Sequence, residues 1–342
     1  MTRIPTLDGW RGIAILLVLF DHIQGAAIRA YILPRTETGR HGVTIFFVLS
    51  GFLITTGLLA EPVNLKRFYI RRFFRLMPSA WIFITTLILL NHYSRNPFVT
   101  WPEIKACLLF YRNYVTPARD NLAWHFWSLS IEEQFYLVWP FLLLIAGKFR
   151  ARWLAAIGAS GFAIFRLFNW KLYQGASLWD RIEVRADALL VGCFLALVLS
   201  DERFRQRASR WSALAALPAT LGLLLAMAFF PLLQPLWESV CIAVLLTATM
   251  QHPGSRVSRF LSWKPLASIG VISYSLYVWQ ELFMWFNQTP QILAVSVGIV
   301  LPCFAIAGYY LVERPCLQFG RRLTNPRPSK PSDLDSIFVS AS

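Results

Sequence analysis

Residues 10–28 read WRGIAILLVLFDHIQGAAI. After Arg11 no polar side chain interrupts the run until Asp21 and His22 stand side by side inside it. Apolar runs of about this length are what a membrane crossing needs, because roughly 20 helical residues cover the hydrocarbon layer. Ionisable groups inside such a run are costly there and mark a function by default. One stretch therefore raises both the fold question and the chemical one.

The rest of the chain answers the fold question. Its 342 residues have a mean hydropathy of +0.50, with 56% apolar and 15% charged residues. Soluble globular chains carry about 45–50% apolar and about 25% charged residues. Ten hydrophobic runs are legible, at 12–28, 42–60, 76–91, 131–147, 153–170, 186–200, 212–233, 235–250, 266–288 and 290–312. The third, sixth and eighth are short for a crossing. The segment 101–115, WPEIKACLLFYRNYV, is too polar to cross and reads as interfacial or partly re-entrant. The expectation is an all-α integral membrane protein, a bundle of about ten transmembrane helices. Residues 1–324 form its membrane-embedded domain. Residues 325–342, rich in Pro and Ser, form a disordered cytoplasmic tail.

Charge sets the orientation. The 33 Lys and Arg against 18 Asp and Glu would suit nucleic acid if they made one patch. They recur between the hydrophobic runs instead, as topology signals do. The expected partner is the lipid bilayer, and no nucleic acid. With ten crossings, 22 of the 33 basic residues fall on the side of the N-terminus, leaving 11 for the other side and the span ends. The excess of Lys and Arg faces the cytoplasm, so both termini are expected there. Asp8 before the first run and Asp21-His22 within it argue against a cleaved signal peptide. The five cysteines are scattered without C-x-x-C spacing, implying neither a metal site nor a disulfide framework.

Three polar clusters then need a reading. Arg11 and His22 are about three helical turns apart on nearly one face, roughly 16 Å along the axis. His22 is either a packing histidine bonded to a neighbouring carbonyl or a working group. The segment 65–78, LKRFYIRRFFRLMP, sets five cations at the cytoplasmic face, with Arg72 and Arg75 three apart on a helix. Topology anchoring explains such a loop. So does a phosphate-bearing ligand, because guanidinium groups grip phosphate in pairs of hydrogen bonds and stack on aromatics. The segment 124–140, WHFWSLSIEEQFYLVWP, places Glu132 and Tyr136 on one face at the outer mouth of the fourth span, where Glu132 and His22 are expected to meet.

Seven blocks in order carry a resemblance: LDGWRGIAILLVLFDH (7–22), GVTIFFVLSGFLI (42–54), RRFFRLMP (71–78), WSLSIEEQFYLVWP (127–140), RADALLVG (185–192), SYSLYVWQ (273–280) and VERP (312–315). Over nearly its whole length the chain resembles the acyltransferase 3 family, multispanning membrane proteins that O-acylate extracytoplasmic carbohydrates. The resemblance implies acyl-CoA, usually acetyl-CoA, as a co-substrate bound from the cytoplasm, with no tightly held cofactor. It implies a carbohydrate or glycolipid acceptor and a bacterial inner membrane as the location. Arg11 and His22 match the family's R/K-x10-H signature, Arg72 and Arg75 its R-x-x-R signature, and Glu132 its acidic position. Within the blocks, Tyr136, Arg185, Asp187, Gln280 and Glu281 are candidates for substrate binding. Where the family often has His after its YSLYLW block, this chain has Gln280 followed by Glu281. A glutamine is no base, so either that position only hydrogen-bonds or Glu281 takes a related role. Many members carry a fused extracytoplasmic hydrolase-like domain, absent from this sequence; a separate partner protein would have to stand in, or none is needed.

The chemistry of acyl transfer fits the residues. A hydroxyl nucleophile needs a base near neutral pKa, for which His is best suited, and its oxyanion needs cationic or hydrogen-bonding help. The expected roles are His22 as general base or acyl carrier, Glu132 orienting it or the acceptor, and Arg11, Arg72 and Arg75 holding the donor's phosphates. A transporter or flippase of a lipid-linked sugar is the rival reading. It is expected to show internal repeats with matching broken helices, and the two halves show no such self-similarity.

Overall fold

A computed structural model describes residues 4–23, 38–60, 64–94, 97–115, 122–169, 180–229, 234–285 and 290–324. Among them there is helix and no strand. The first helix, α1 (Pro5–Ile23), starts on a proline that needs no hydrogen-bond partner in a first turn, with Asp8 favouring the helix dipole there. It begins earlier than the expected span, so Arg11 lies well inside the helix instead of at its entrance. Residues 24–28 of that span lie outside the described residues, as does the tail from 325.

Helix α2 (Thr38–Leu59) follows, then α3 (Leu65–Tyr93), which absorbs the basic segment and the third span into one rod. Asn64 caps it, its side chain accepting from the Arg67 amide at 2.8 Å. The polar segment after it forms α4 (Trp101–Leu108), closed by a capping box of Thr100 and Glu103, and a single tight turn at Arg112–Tyr114. Helix α5 (Phe126–Phe168) contains the fourth and fifth spans. They are separated at Gly147, whose φ of 66° and ψ of 169° break the helix where a side chain would be strained.

Next come α6 (Ile182–Leu199), α7 (Glu202–Phe229) and α8 (Gln234–Gln251), then the short α9 (Arg256–Leu261) and α10 (Lys264–Val271). The ninth span is interrupted at Ile272, after which α11 (Ser273–Trp285) resumes it. The tenth runs on past its expected end, as α12 (Pro290–Val295), α13 (Leu301–Gly308) and α14 (Arg314–Thr324) joined by two wider π-turns.

Helix α1 packs on α2 and α10, α2 on α6, α5 on α6, α7 on α8 and α14 on α3. The α2–α6 contact is backbone against backbone. A Cβ on Gly51 would stand 1.9 Å from the Leu189 carbonyl oxygen, and one on Gly192 2.1 Å from that of Val48. Small residues at such crossings are how helices approach without a hydrophobic drive between them. The outward faces are apolar and open, with Leu137 61% and Ile145 80% exposed, as lipid contact requires.

Among the described residues five helices are long and apolar enough to cross a membrane: Thr38–Leu59, Leu65–Tyr93, Phe126–Phe168, Glu202–Leu225 and Ser296–Thr324. Helices α1 and α6 miss that measure because each carries three charged residues, Asp8, Arg11 and Asp21 on one and Glu183, Arg185 and Asp187 on the other. The protein is a multi-pass membrane protein, and the charges on α1 and α6 are turned inward.

Candidate active site

Arginines from three helices converge on one cavity of about 1020 Å³. Arg11 comes from α1, Arg67, Arg71, Arg72 and Arg75 from α3, and Arg314 and Arg321 from α14. Asp8 and Glu313 are the acids on the same wall. Arg75 makes no ion pair or hydrogen bond among the described residues, and it sits in the field of both Arg11 and Arg72. Among the described residues Arg11 pairs only with Asp8, at 4.0 Å. Like charges gathered this way repel in a low-dielectric setting unless an anion joins them.

Arg72 marks the inner edge of the cavity. Its guanidinium lies 3.8 Å from Glu132 and 3.8 Å from Glu133, and 3.6 Å above the Tyr136 ring. Those oxygen distances are beyond hydrogen bonding, and the Arg72 Nε has no partner. Charge and ring hold the group in place while leaving donors open. Glu132 accepts a hydrogen bond from Ser50 of α2 at 2.6 Å.

From here a narrower pocket continues inward, sharing Arg11, Arg72, Arg75 and Ser50 and reaching Ser128, Leu129, Tyr274 and Tyr277. Ser128 and Tyr277 are joined by a 2.5 Å hydrogen bond. Three helical faces lead onward from this point. On α1, Arg11 is followed by Val18 and His22. On α11, Ser273, Tyr274 and Tyr277 are followed one turn on by Gln280 and Glu281. On α5 the order is reversed: Glu132, then Ser128, then His125 at the helix start.

At the far end His22 Nε2 lies 2.9 Å from Glu281 Oε1, and His22 Nδ1 lies 2.7 Å from the Val18 carbonyl oxygen. The carbonyl can only accept, so Nδ1 carries a proton. Nε2 and the Glu281 carboxylate lie within hydrogen-bond distance, which requires a proton on one of the two. Gln280 is fully buried, and neither atom of its amide is hydrogen-bonded.

This geometry corrects one sequence expectation. The carboxylate that meets His22 is Glu281, while Glu132 belongs with Arg72. Helix α5 begins at Phe126, five residues before the expected span, which sets Glu132 two turns into the helix and leaves His125 at its start. Arg72, Arg75 and Arg11 share one cavity as expected, and Tyr136 lies under Arg72. Arg185 is buried near the Arg40 carbonyl at 3.4 Å and over the Trp127 ring at 5.8 Å. Asp187 is fully buried and bonded to Arg166 at 2.6 Å, a contact that ties α6 to α5 instead of facing either cavity. Sequence reasoning passed over His125, Ser50, Ser128 and Tyr277. For His125 the signal was present, since it stands about two turns before Glu132 in the same block.

The bundle thus gathers cations at one end and a histidine–carboxylate pair at the other. The chain belongs to the acyltransferase 3 family, whose model, described as an acyltransferase domain, matches residues 4–312. It is 30% identical to a putative peptidoglycan O-acetyltransferase, YrhL, of Bacillus subtilis, over 93% of this chain and 56% of that protein. It is 29% identical to the peptidoglycan O-acetyltransferase OatA of Listeria monocytogenes, over 92% of this chain and 55% of the relative. It is 26% identical to an O-acetyltransferase OatA of Staphylococcus aureus, over 97% and 60%. The chain thus spans little more than half the length of these curated relatives.

Proposed function

We propose that the protein is an acyl-CoA-dependent O-acyltransferase that moves an acetyl group from cytoplasmic acetyl-CoA to a hydroxyl of an extracytoplasmic carbohydrate. The peptidoglycan O-acetyltransferases among its relatives favour a cell-wall glycan as that acceptor. The observation that carries the reading is the continuity of three helical faces between the arginine cavity and the His22–Glu281 pair. A donor with its phosphates on Arg11, Arg72 and Arg75 has its thioester end directed along those faces, over roughly 16 Å.

On this reading the orientation has both termini in the cytoplasm and ten crossings in all, which sets the arginine cavity inside and His22 towards the outer leaflet. The acceptor hydroxyl attacks the thioester carbonyl, a C–O bond forms, and the C–S bond breaks. The hydroxyl proton passes to the His22–Glu281 pair and from there to the leaving thiolate. The pair acts as one proton-handling unit, because Nε2 and the carboxylate lie within hydrogen-bond reach of each other. Ser128, Tyr277 and Gln280 offer hydrogen bonds along the way to the oxyanion. A separate extracytoplasmic partner protein fits the scheme as an intermediate carrier.

The test is direct. Purified protein in lipid nanodiscs, given labelled acetyl-CoA and soluble glycan fragments, is expected to bind acetyl-CoA and label the glycan. Absence of acetyl-CoA binding would exclude the donor half of the scheme, and it would favour the transporter reading if a lipid-linked sugar bound instead.

A further inference from the structure

His125 stands at the start of α5, is 2% exposed, and has no part in the scheme above. Its Nε2 lies 3.1 Å from the Val278 carbonyl oxygen of α11. A carbonyl has no proton to give, so Nε2 is the donor. The ring is packed against Phe83, Phe126 and Tyr277, surroundings in which a second proton would leave a cation buried among aromatics. The neutral ring therefore presents a lone pair at Nδ1, and Nδ1 has no hydrogen-bond partner.

Its position matters as much as its tautomer. The Tyr277 hydroxyl, which lines the inner pocket, donates to the His125 carbonyl at 3.1 Å. Ser128, one turn along α5 from His125, lines the same pocket. Buried polar atoms are hydrogen-bonded in roughly nine cases of ten. An orphan this close to the inner pocket thus calls for a ligand. Because it is an acceptor only, that ligand must bring the proton.

We propose that His125 Nδ1 receives a hydroxyl of the carbohydrate acceptor, one neighbouring the hydroxyl that is acylated, and so holds the sugar beside the His22–Glu281 pair. This assignment rests on the O-acyltransferase reading and adds to it a residue that binds the acceptor. Donor binding is untouched by it.

Two substitutions separate this role from packing. His125→Gln puts an amide nitrogen near the place of Nε2, keeping the bond to Val278 but removing the acceptor at Nδ1. His125→Asn puts an amide oxygen near the place of Nδ1 and loses the bond to Val278. The full chain in nanodiscs is assayed with labelled acetyl-CoA and soluble peptidoglycan glycan fragments, reading acceptor KM, acetyl-CoA Kd and thermal midpoint. The Gln variant is expected to raise acceptor KM about tenfold with acetyl-CoA Kd unchanged. The Asn variant is expected to keep an acceptor KM nearer wild type despite a lower thermal midpoint. The opposite order, or acceptor KM unchanged in both, would overturn the proposal and leave His125 a bond to Val278. If the wild-type protein transfers no acetyl at all, the O-acyltransferase reading itself falls and this assignment goes with it.

Discussion

His22 and Glu281 stand 259 residues apart in the chain yet meet across 2.9 Å, while Glu132, expected beside His22, is bonded to Ser50 at 2.6 Å. The pairing makes the histidine a member of a unit. With Nδ1 tied to the Val18 carbonyl at 2.7 Å, the imidazole has no free nitrogen unless Glu281 yields. Substituting either residue by Gln keeps hydrogen bonding and bulk but removes proton exchange. Each variant is expected to lose about 10²–10⁴-fold in acetyl transfer with acetyl-CoA binding intact. The double variant is expected to be no worse than either single one, because groups that act as a unit are not additive. Transfer at the wild-type rate by Glu281→Gln, with normal protein levels, would rule this unit out.

Donor binding is predicted to depend on the arginine fork. Arg72→Ala with Arg75→Ala removes charge-assisted hydrogen bonds to phosphate, each worth about 1.5–3 kcal/mol. Acetyl-CoA affinity is expected to fall by at least about a hundredfold, read by isothermal titration. Lysine at both positions is expected to restore little, since it returns the charge without the planar fork. An unchanged affinity would reduce the cluster to a topology anchor.

Tyr136 is predicted to serve Arg72 through its ring. The guanidinium lies 3.6 Å above the ring centroid, an arrangement worth about 0.5–2 kcal/mol. Tyr136→Phe keeps the aromatic face and is expected to leave acetyl-CoA affinity near wild type. Tyr136→Leu is expected to weaken it several-fold. Equal affinities for the Phe and Leu variants would show that the ring does not hold Arg72.

Asp187 is predicted to act on stability. Its side chain and that of Arg166 are fully enclosed and 2.6 Å apart, and Arg166 also donates to the Val184 carbonyl. Removing one member of a buried pair strands the other charge, at a cost of about 3–5 kcal/mol. Asp187→Ala is therefore expected to lower the thermal midpoint in detergent markedly, and simultaneous Arg166→Leu to restore part of it. If Asp187→Ala is as stable as wild type but binds the acceptor poorly, a substrate role returns.

Orientation is testable without any assay of activity. A reporter fused after Ser342 is expected to be cytoplasmic, and a cysteine placed within 171–180 is expected to be labelled from outside intact cells. Labelling of that loop only after permeabilisation would invert the assignment and with it the side from which the donor enters.

Much of this was legible in the chain. The hydrophobic runs gave the helices, since a backbone in lipid must satisfy its own hydrogen bonds and has few ways to do so. The R-x10-H and R-x-x-R spacings placed Arg11, His22, Arg72 and Arg75 on their helical faces, because residues three, four and eleven apart share a side of an α-helix. Helix ends were less legible. Asn64 lets α3 begin in the basic segment and the block before Glu132 starts α5 at Phe126, and neither shift changes the hydropathy of a run by much.

The sequence by itself determined a helical membrane protein, the family to which it belongs, and the residue types that its chemistry uses. Only the tertiary structure decided which of those residues meet. Whether His22 pairs with Glu132 or with Glu281 depends on the depth and direction of α5 and α11 beside α1, and periodicity along one helix carries no information about its vertical register against another. That register is set by packing between helices, where close backbone contacts such as Gly51 on Leu189 admit few alternatives. The same packing leaves the His125 Nδ1 unpartnered and the Arg166–Asp187 pair enclosed, because a buried polar atom's partner is a neighbour in space and seldom in the chain.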